Sequence, residues 1–247
     1  MISPDMSKYS IVTLEEVHST NSYALEYISS FEDKTVIFSS HQTSGRGRYN
    51  RKWIGDESEN IYMSIILKPV NTNNFPFSNL TQYLSVILCE FLEKEYNLQP
   101  SIKWPNDILI DDCKISGILA ESYIDRSEIK GIVLGLGLNV NMPSETLKKI
   151  DQKATSLYVL KNKSFDVEMI LRKILDLFFE RYDKFVSKGF INIKDEYEAR
   201  CNFIGNKITI RETGVQYTAI SINKEGLLIV KDENGKEFEI MTGDILC

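Results

Sequence analysis

The 247-residue sequence predicts an α+β protein: a mixed or antiparallel sheet packed with helices, followed by a small antiparallel barrel. Two long stretches carry apolar residues at helical spacing, short strands are joined by tight polar turns, and after Tyr197 the texture changes to brief strands separated by glycines. The first helical stretch opens on Ser19-Thr20-Asn21, good capping types, and continues to Phe31 with Ala24, Tyr27 and Ile28 on one face. TVIFSS (35–40) and IYMSIILK (61–68) then read as buried strands. The polar, glycine-containing connection between them, about twenty residues, is longer than ordinary loops and points to a functional segment. From Leu80, the apolar set Leu84, Ile87, Leu88, Phe91 and Leu92 marks an amphipathic helix that ends before Asn97 and Pro100. Short strands at 101–104 and 108–111, a turn at Asp111-Asp112-Cys113, a returning strand at 114–123 and a long one at 129–140 complete the sheet. A second helix follows, with Val167, Ile170, Leu171, Ile174, Leu175, Phe178, Phe179, Tyr182 and Phe185 in register. KITIRE, VQYTAIS, GLLIVK and KEFEIM, punctuated by Gly214, Gly226 and Gly235, read as a curled antiparallel barrel, with a domain boundary between residues 199 and 200.

Composition narrows the function classes. Hydrophobic residues at 43% and charged residues at 26% are typical of a globular protein. A net charge of −6 argues against general attraction to nucleic acid, so any anion site must be local. The four cysteines (Cys89, Cys113, Cys201, Cys247) form no CxxC pair and only two histidines are present, which supports neither a disulfide framework nor a zinc cluster. With no leader pattern at the N-terminus and no apolar run of spanning length, a cytoplasmic protein with reduced thiols and no membrane partner is expected.

Chemistry concentrates in three windows. HQTSGRGRYNRKW (41–53) carries Arg46, Arg48, Arg51 and Lys52 with no acidic residue. Gly45 and Gly47 let the backbone bend, and guanidinium forks can hold phosphate or carboxylate oxygens; a solvated basic loop or an RGG-like nucleic-acid contact is the competing reading. KWPND (103–107) sets a proline-fixed turn after a strand and presents the Asn106 amide, which can donate and accept as an adenine edge requires. Lys114 begins the next strand, where it is either a solvent lysine or a cation that neutralises charge at a phosphoryl transition state. GLGLNVN (135–141) alternates Gly135 and Gly137 on a strand ahead of Asn139, marking close approach of a ligand or another backbone; it is not a GxGxxG fingerprint, since Val140 stands at the third glycine position. Helix capping accounts for Ser19-Thr20-Asn21 taken alone.

In order and spacing, STN (19–21), QTSGRGRYNRKW (42–53), KWPND (103–107), Lys114 with GILAE (117–121) and GLGLNVN (135–141) resemble the catalytic domain of biotin–protein ligases. The resemblance covers most of residues 15–142. It implies a class II aminoacyl-tRNA synthetase/biotin ligase-like catalytic domain over residues 1–199, an SH3-like barrel over 200–247, and an enzyme that makes biotinyl-5′-AMP from biotin and ATP. The biotin then passes to a lysine of a biotin carboxyl carrier protein. By the same resemblance, Ser19, Thr20 and Gln42 would bind the ureido ring of biotin, with Gly45, Gly47 and Gly117 lining its pocket. Arg46, Arg48 and Lys114 would carry catalysis by binding the biotin carboxylate and the phosphate, with Arg51 near the nucleotide phosphates. Trp53 would stack on adenine, Asn106 would read its edge, Asn139 would contact the nucleotide, and Asp107 is the candidate for Mg2+. The chain departs from the family's basic loop at Asn50, where a third glycine is usual; asparagine tolerates left-handed backbone better than most residues. Only about fourteen residues precede the Glu15–Ser19 entry, too few for a three-helix DNA-binding unit at roughly ten residues per helix, so no DNA partner is expected. The assembly is left open, a homodimer included. A related lipoate or octanoate transferase and a non-catalytic nucleic-acid-binding module are the rival readings.

Overall fold

The computed structural model describes residues 8–55, 58–69 and 77–246, and the side chains of Asn50 and Ser78 are not described; Cys247 and the first seven residues lie outside it. In chain order, β1 (Ser10–Leu14) leads through α1 (Thr20–Glu26) to β2 (Thr35–Ser39), the two-residue strands β3 (Gly45–Arg46) and β4 (Lys52–Trp53), and β5 (Ile61–Leu67). Helix α2 (Leu80–Tyr96) precedes β6 (Ser101–Lys103), β7 (Asp107–Ile110), β8 (Cys113–Asp125) and β9 (Glu128–Leu138). Helices α3 (Ser144–Leu147), α4 (Leu157–Lys161), α5 (Val167–Lys188) and α6 (Lys194–Glu198) come next, then β10 (Lys207–Ile210), β11 (Gln216–Ile222), β12 (Leu228–Lys231), β13 (Glu237–Ile240) and β14 (Ile245–Leu246).

The main sheet runs β1-β2-β5-β9-β8-β7-β6. Among the described residues, β1 and β2 are the one strand pair of this sheet that runs parallel, so the sheet is mixed and, with its flanking helices, α+β as expected. Strands β2 and β5 are buried along their whole length because both faces are covered. Alternate side chains point to opposite faces, and the core divides accordingly. Ile37, Ile66 and Val133 pack with Ala24 and Ile28 of α1. Val36, Phe38, Ile65 and Leu134 face the other way, into the larger core that holds α2 and α5.

That larger core is aromatic. The Tyr83 ring stacks on Phe185 with centroids 4.3 Å apart and lies 5.0 Å from Phe178, and its hydroxyl donates to the Phe178 carbonyl. Phe178→Ala would remove a fully buried ring that the two helices share, a loss of about 3–5 kcal/mol. Urea unfolding followed by circular dichroism measures it, and a shift below 1 kcal/mol would contradict this packing.

Strand β1 is absent from the sequence expectation: SIVTL is too short and too evenly half-exposed to stand out from its flanks. The first helix ends at Glu26, and residues up to Ser30 continue as a 3₁₀ turn. The five C-terminal strands form a second, antiparallel sheet ordered β13-β12-β11-β10-β14. Its Ile208, Ala219, Leu228 and Ile245 belong to the same apolar cluster as α2 and α5, so the core continues across residue 200. Gln82 Nε2 donates to the Gly226 carbonyl at 2.8 Å, and the β11–β12 turn approaches so closely that a Cβ on Gly226 would lie 2.4 Å from Asn79. No helix among the described residues is long and apolar enough to cross a membrane.

Candidate active site

The basic window folds back on itself as a hairpin. β3 and β4 pair Gly45 with Trp53 and Arg46 with Lys52, and the Gly47 N–H donates to the Arg51 carbonyl at 2.7 Å. Gly45 is needed for that closure, since a Cβ there would meet Gln42 Nε2 at 2.4 Å and the Trp53 carbonyl at 2.7 Å. The left-handed backbone at the tip falls on Tyr49 (φ 54, ψ 37) rather than on the asparagine that replaces the usual glycine. Left-handed backbone is uncommon for a tyrosine, and here the ring is held by neighbours on both sides. The Arg48 and Arg51 guanidinium carbons lie 5.1 and 5.6 Å from its centroid.

This hairpin borders a cavity of about 490 Å³ on the α1 face of the main sheet. The size suits a small-molecule ligand. One end is polar. Ser19 caps α1 by accepting from the Ser22 N–H, the Thr20 N–H donates to Gln42 Oε1 at 2.9 Å, and Ser64 Oγ lies within hydrogen-bond distance of Thr20 Oγ1 (2.8 Å) and Asn21 Oδ1 (2.6 Å). Ser64, the polar residue inside the apolar run of β5, therefore faces the N-terminus of α1.

The floor is a gap in the pleat. Gly117 and Gly137 are direct cross-strand partners on β8 and β9, so two adjacent side chains are missing from one face. The Trp53 indole fills the gap: a Cβ on Gly117 would sit 2.8 Å from the ring and one on Gly137 2.6 Å from it. Gly135 makes the same allowance for Asn21, whose Oδ1 would be 2.1 Å from an added Cβ. The close approach expected at GLGLNVN is thus met by side chains of the chain itself. The buried Trp53 Nε1 has no hydrogen-bond partner among the described residues, leaving a donor at the cavity wall. Gly137→Ala would push the indole out of its groove at a cost of about 1–3 kcal/mol. Tryptophan emission should shift to the red, and since Trp104 is buried elsewhere in the core, an unchanged spectrum would rule the displacement out.

The lining side chains include six cations (Arg46, Arg48, Arg51, Lys52, Lys114, Arg211) and three carboxylates (Asp107, Asp151, Asp244), a positive excess inside an acidic protein. Among the described residues, four of the six have a carboxylate partner. Arg46 Nη2 lies 3.1 Å from both carboxylate oxygens of Glu121, Lys114 Nζ is 2.8 Å from Asp107, and Arg48 and Arg51 converge on Asp244. Lys114 Nζ also stands 5.2 Å from the Trp53 ring. Guanidinium and ammonium groups held this way have the charge and donor geometry to receive an anion. No group of three His, Cys, Asp or Glu able to cage a metal occurs among the described residues.

Of the residues singled out from the sequence, Ser19, Thr20, Gln42, Arg46, Gly47, Arg48, Arg51, Trp53, Asn106, Asp107, Lys114 and Gly117 line this cavity. Two do not. Gly45 supports the hairpin from behind, and Asn139 is buried with its Nδ2 donating to the Thr155 carbonyl at 3.0 Å. The Asn106 amide is partly committed as well, donating to the Ile118 carbonyl at 2.8 Å, after a cis Trp104–Pro105 bond. Asn21, Glu121, Arg211 and Asp244 were missed as individual residues. The first two sit inside motifs already noted, whereas nothing around Arg211 or Asp244 in the sequence marks them.

A family model described as the biotin/lipoate A/B protein ligase family matches residues 14–139. Among curated relatives, the bifunctional ligase/repressor BirA of Bacillus spizizenii is 33% identical over 215 residues, covering 85% of this chain. The chain spans 65% of that relative's length. A biotin–[acetyl-CoA-carboxylase] ligase of Mycobacterium tuberculosis is 28% identical over 87% of this chain and 79% of its own. Among solved structures, the biotin protein ligase from Aquifex aeolicus in complex with biotin and ATP superposes with a TM-score of 0.81 at 28% identity, covering 96% of this chain and 97% of that one.

Proposed function

The chain belongs to the biotin/lipoate A/B protein ligase family, and from that premise we propose that it is an ATP-dependent biotin–protein ligase that modifies a lysine of a biotin carboxyl carrier domain. One observation carries the reading: a single cavity joins a polar pocket at Ser19, Thr20 and Gln42 to a cluster of arginines and Lys114, across a floor made by Trp53 and paired glycines. That is a suitable layout for a bicyclic urea at one end and a mixed anhydride with phosphate at the other. The relatives named as biotin ligases, and the Aquifex structure with biotin and ATP, support it.

In the first step a biotin carboxylate oxygen attacks the α-phosphorus of ATP, the bond to the β-phosphate oxygen breaks, and pyrophosphate leaves. Both reactants are anions, so their approach requires cations that are already in position. Lys114 sits between the glycine floor and Asp107 and is the residue we assign to the carboxylate and α-phosphate together. Arg46 and Arg48 neutralise the developing charge, and Arg51 takes the outer phosphates. Trp53 would cover the nucleotide base, with Asn106 at its edge through the free Nδ2 proton. In the second step the acceptor lysine nitrogen attacks the acyl carbon, AMP departs, and the amine proton is lost to solvent. Asp107 alone does not fit a resident magnesium site; the ion is expected to enter on the phosphates of MgATP, as part of the substrate. We further propose that residues 200–247 form an SH3-like barrel closing over the site, a division of sheets rather than of cores, with residues 1–199 as the catalytic unit. The cytoplasm, which supplies ATP, is the expected compartment.

The decisive experiment incubates the protein with ATP, magnesium, a carboxyl carrier domain, and either biotin or lipoate. Biotin-dependent pyrophosphate release with labelled acceptor is the expected result. Turnover of lipoate alone would favour the sibling activity of the family, and turnover of neither would remove the ligase reading.

A further inference from the structure

We propose that Asp244 is a built-in counter-ion for the basic hairpin: its carboxylate holds the Arg48 and Arg51 guanidiniums and is exchanged for phosphate oxygens when an anionic ligand binds. The inference rests on the ligase reading only for the identity of that ligand.

Asp244 Oδ1 lies 2.8 Å from Arg48 Nη1, and its other oxygen pairs with Arg51 Nη2. Arg48 and Asp244 side chains are only 19% and 14% exposed, so this pair is screened far less than an ordinary surface pair. Arg48 has no terminal donor to spare. Nη1 is directed at Asp244 Oδ1, the Gly243 carbonyl (3.0 Å) and Asn106 Oδ1 (3.4 Å), while Nη2 is directed at Thr242 Oγ1 and Tyr49 Oη (3.3 Å each). A guanidinium terminal nitrogen carries two protons, so a phosphate can engage these nitrogens only by displacing a partner.

The displaced partner is fixed in position. The Asp244 N–H donates to both carboxylate oxygens of Glu212 at 3.0 and 3.2 Å, and the Arg211 N–H donates to the Asp244 carbonyl at 2.9 Å. Pairing of Ile210 with Ile245 sets the segment on the edge of the second sheet. A carboxylate held there repels the same phosphates that the arginines attract. Asp244 therefore acts as a positioning residue: it keeps the hairpin docked on the C-terminal segment and lowers its affinity for anions, linking phosphate binding to release of residues 242–244 from the hairpin.

The test titrates inorganic pyrophosphate, without biotin, into the wild-type protein and the Asp244→Asn and Asp244→Glu variants by calorimetry. Asp244→Asn should bind pyrophosphate about fivefold to tenfold more tightly, with Asp244→Glu near wild type. Equal or weaker binding by Asp244→Asn overturns the proposal, because Asp244 would then aim the arginines at the ligand rather than compete with it. A measurement on the wild-type protein covers a variant that fails to fold: pyrophosphate should speed amide exchange at Thr242–Asp244, and slower exchange there would overturn the proposal equally. Biotin-dependent ATP–pyrophosphate exchange, run in parallel, reports on the ligase reading separately, since anion binding to the hairpin does not require biotin.

Discussion

Replacing Lys114 by alanine should slow biotin-dependent pyrophosphate release by about a hundredfold to a thousandfold, the usual effect of deleting one preorganised charge at a developing oxyanion. The side chain is 15% exposed and its ammonium lies 2.8 Å from Asp107, so it stands as a fixed cation at the cavity wall rather than as a solvent lysine. Two contributions add. The transition state loses a neutralising charge, and Asp107 is left as an unpaired carboxylate facing two anions. Lys114→Ala/Asp107→Asn should therefore recover part of the loss, and the difference between the single and double variants measures the coupling. The fold should survive, since Lys114 is not part of the apolar core and its backbone N–H keeps its bond to the Lys153 carbonyl. Near-normal pyrophosphate release from a folded Lys114→Ala protein would remove the residue from the mechanism.

Arg48→Gly should have the second largest effect, on retention of the intermediate rather than on its formation alone. Arg48 is both a cation at the cavity and the tie between the hairpin, Asn106 and residues 242–244. On the proposed reading its removal would take a charge from beside the mixed anhydride, and it breaks the contacts that dock the hairpin on residues 242–244. Release of biotinyl-5′-AMP without acceptor should rise by about tenfold to a hundredfold, equivalent to losing roughly 1.4–2.8 kcal/mol of binding. Rapid filtration of single-turnover mixtures measures the release, and labelling of a bystander protein's lysines gives an independent reading. Wild-type retention would show that the hairpin is not the barrier. Arg48→Gly should also weaken pyrophosphate binding, opposite in sign to Asp244→Asn, although both break the same ion pair. That opposition separates the role of the cation from the role of its counter-ion.

The helices and central strands were legible because their signals are local and periodic. α2 and α5 repeat apolar residues at the helical interval, and β2 and β5 are continuous apolar runs because both faces of the sheet are covered. The basic hairpin was legible as a charge pattern. β1 was not, since it is a short edge strand that gains its place by pairing with β2 rather than from its own composition. Asn139 shows the limit on the site. A buried asparagine that donates to the Thr155 carbonyl and one that lines a cavity have the same sequence context, and only their surroundings distinguish them. Tyr49 shows it for backbone, because the left-handed conformation expected at Asn50 is adopted by the residue before it and is held by contacts with Arg48, Arg51 and Thr242.

By itself, the sequence determined which segments are helix or buried strand and which loop carries the cations, since hydrophobic period and local charge need no distant partner to be read. It also pointed to the family, through motifs whose order and spacing match it over residues 14–139. Tertiary structure decided which carboxylate each cation meets. Arg48 and Asp244 are 196 positions apart, Arg46 and Glu121 are 75, and no periodicity links them. A charge selects its partner by distance and burial, and those are set only when the β3–β4 hairpin meets β8 of the main sheet at Glu121 and the edge of the second sheet at Asp244.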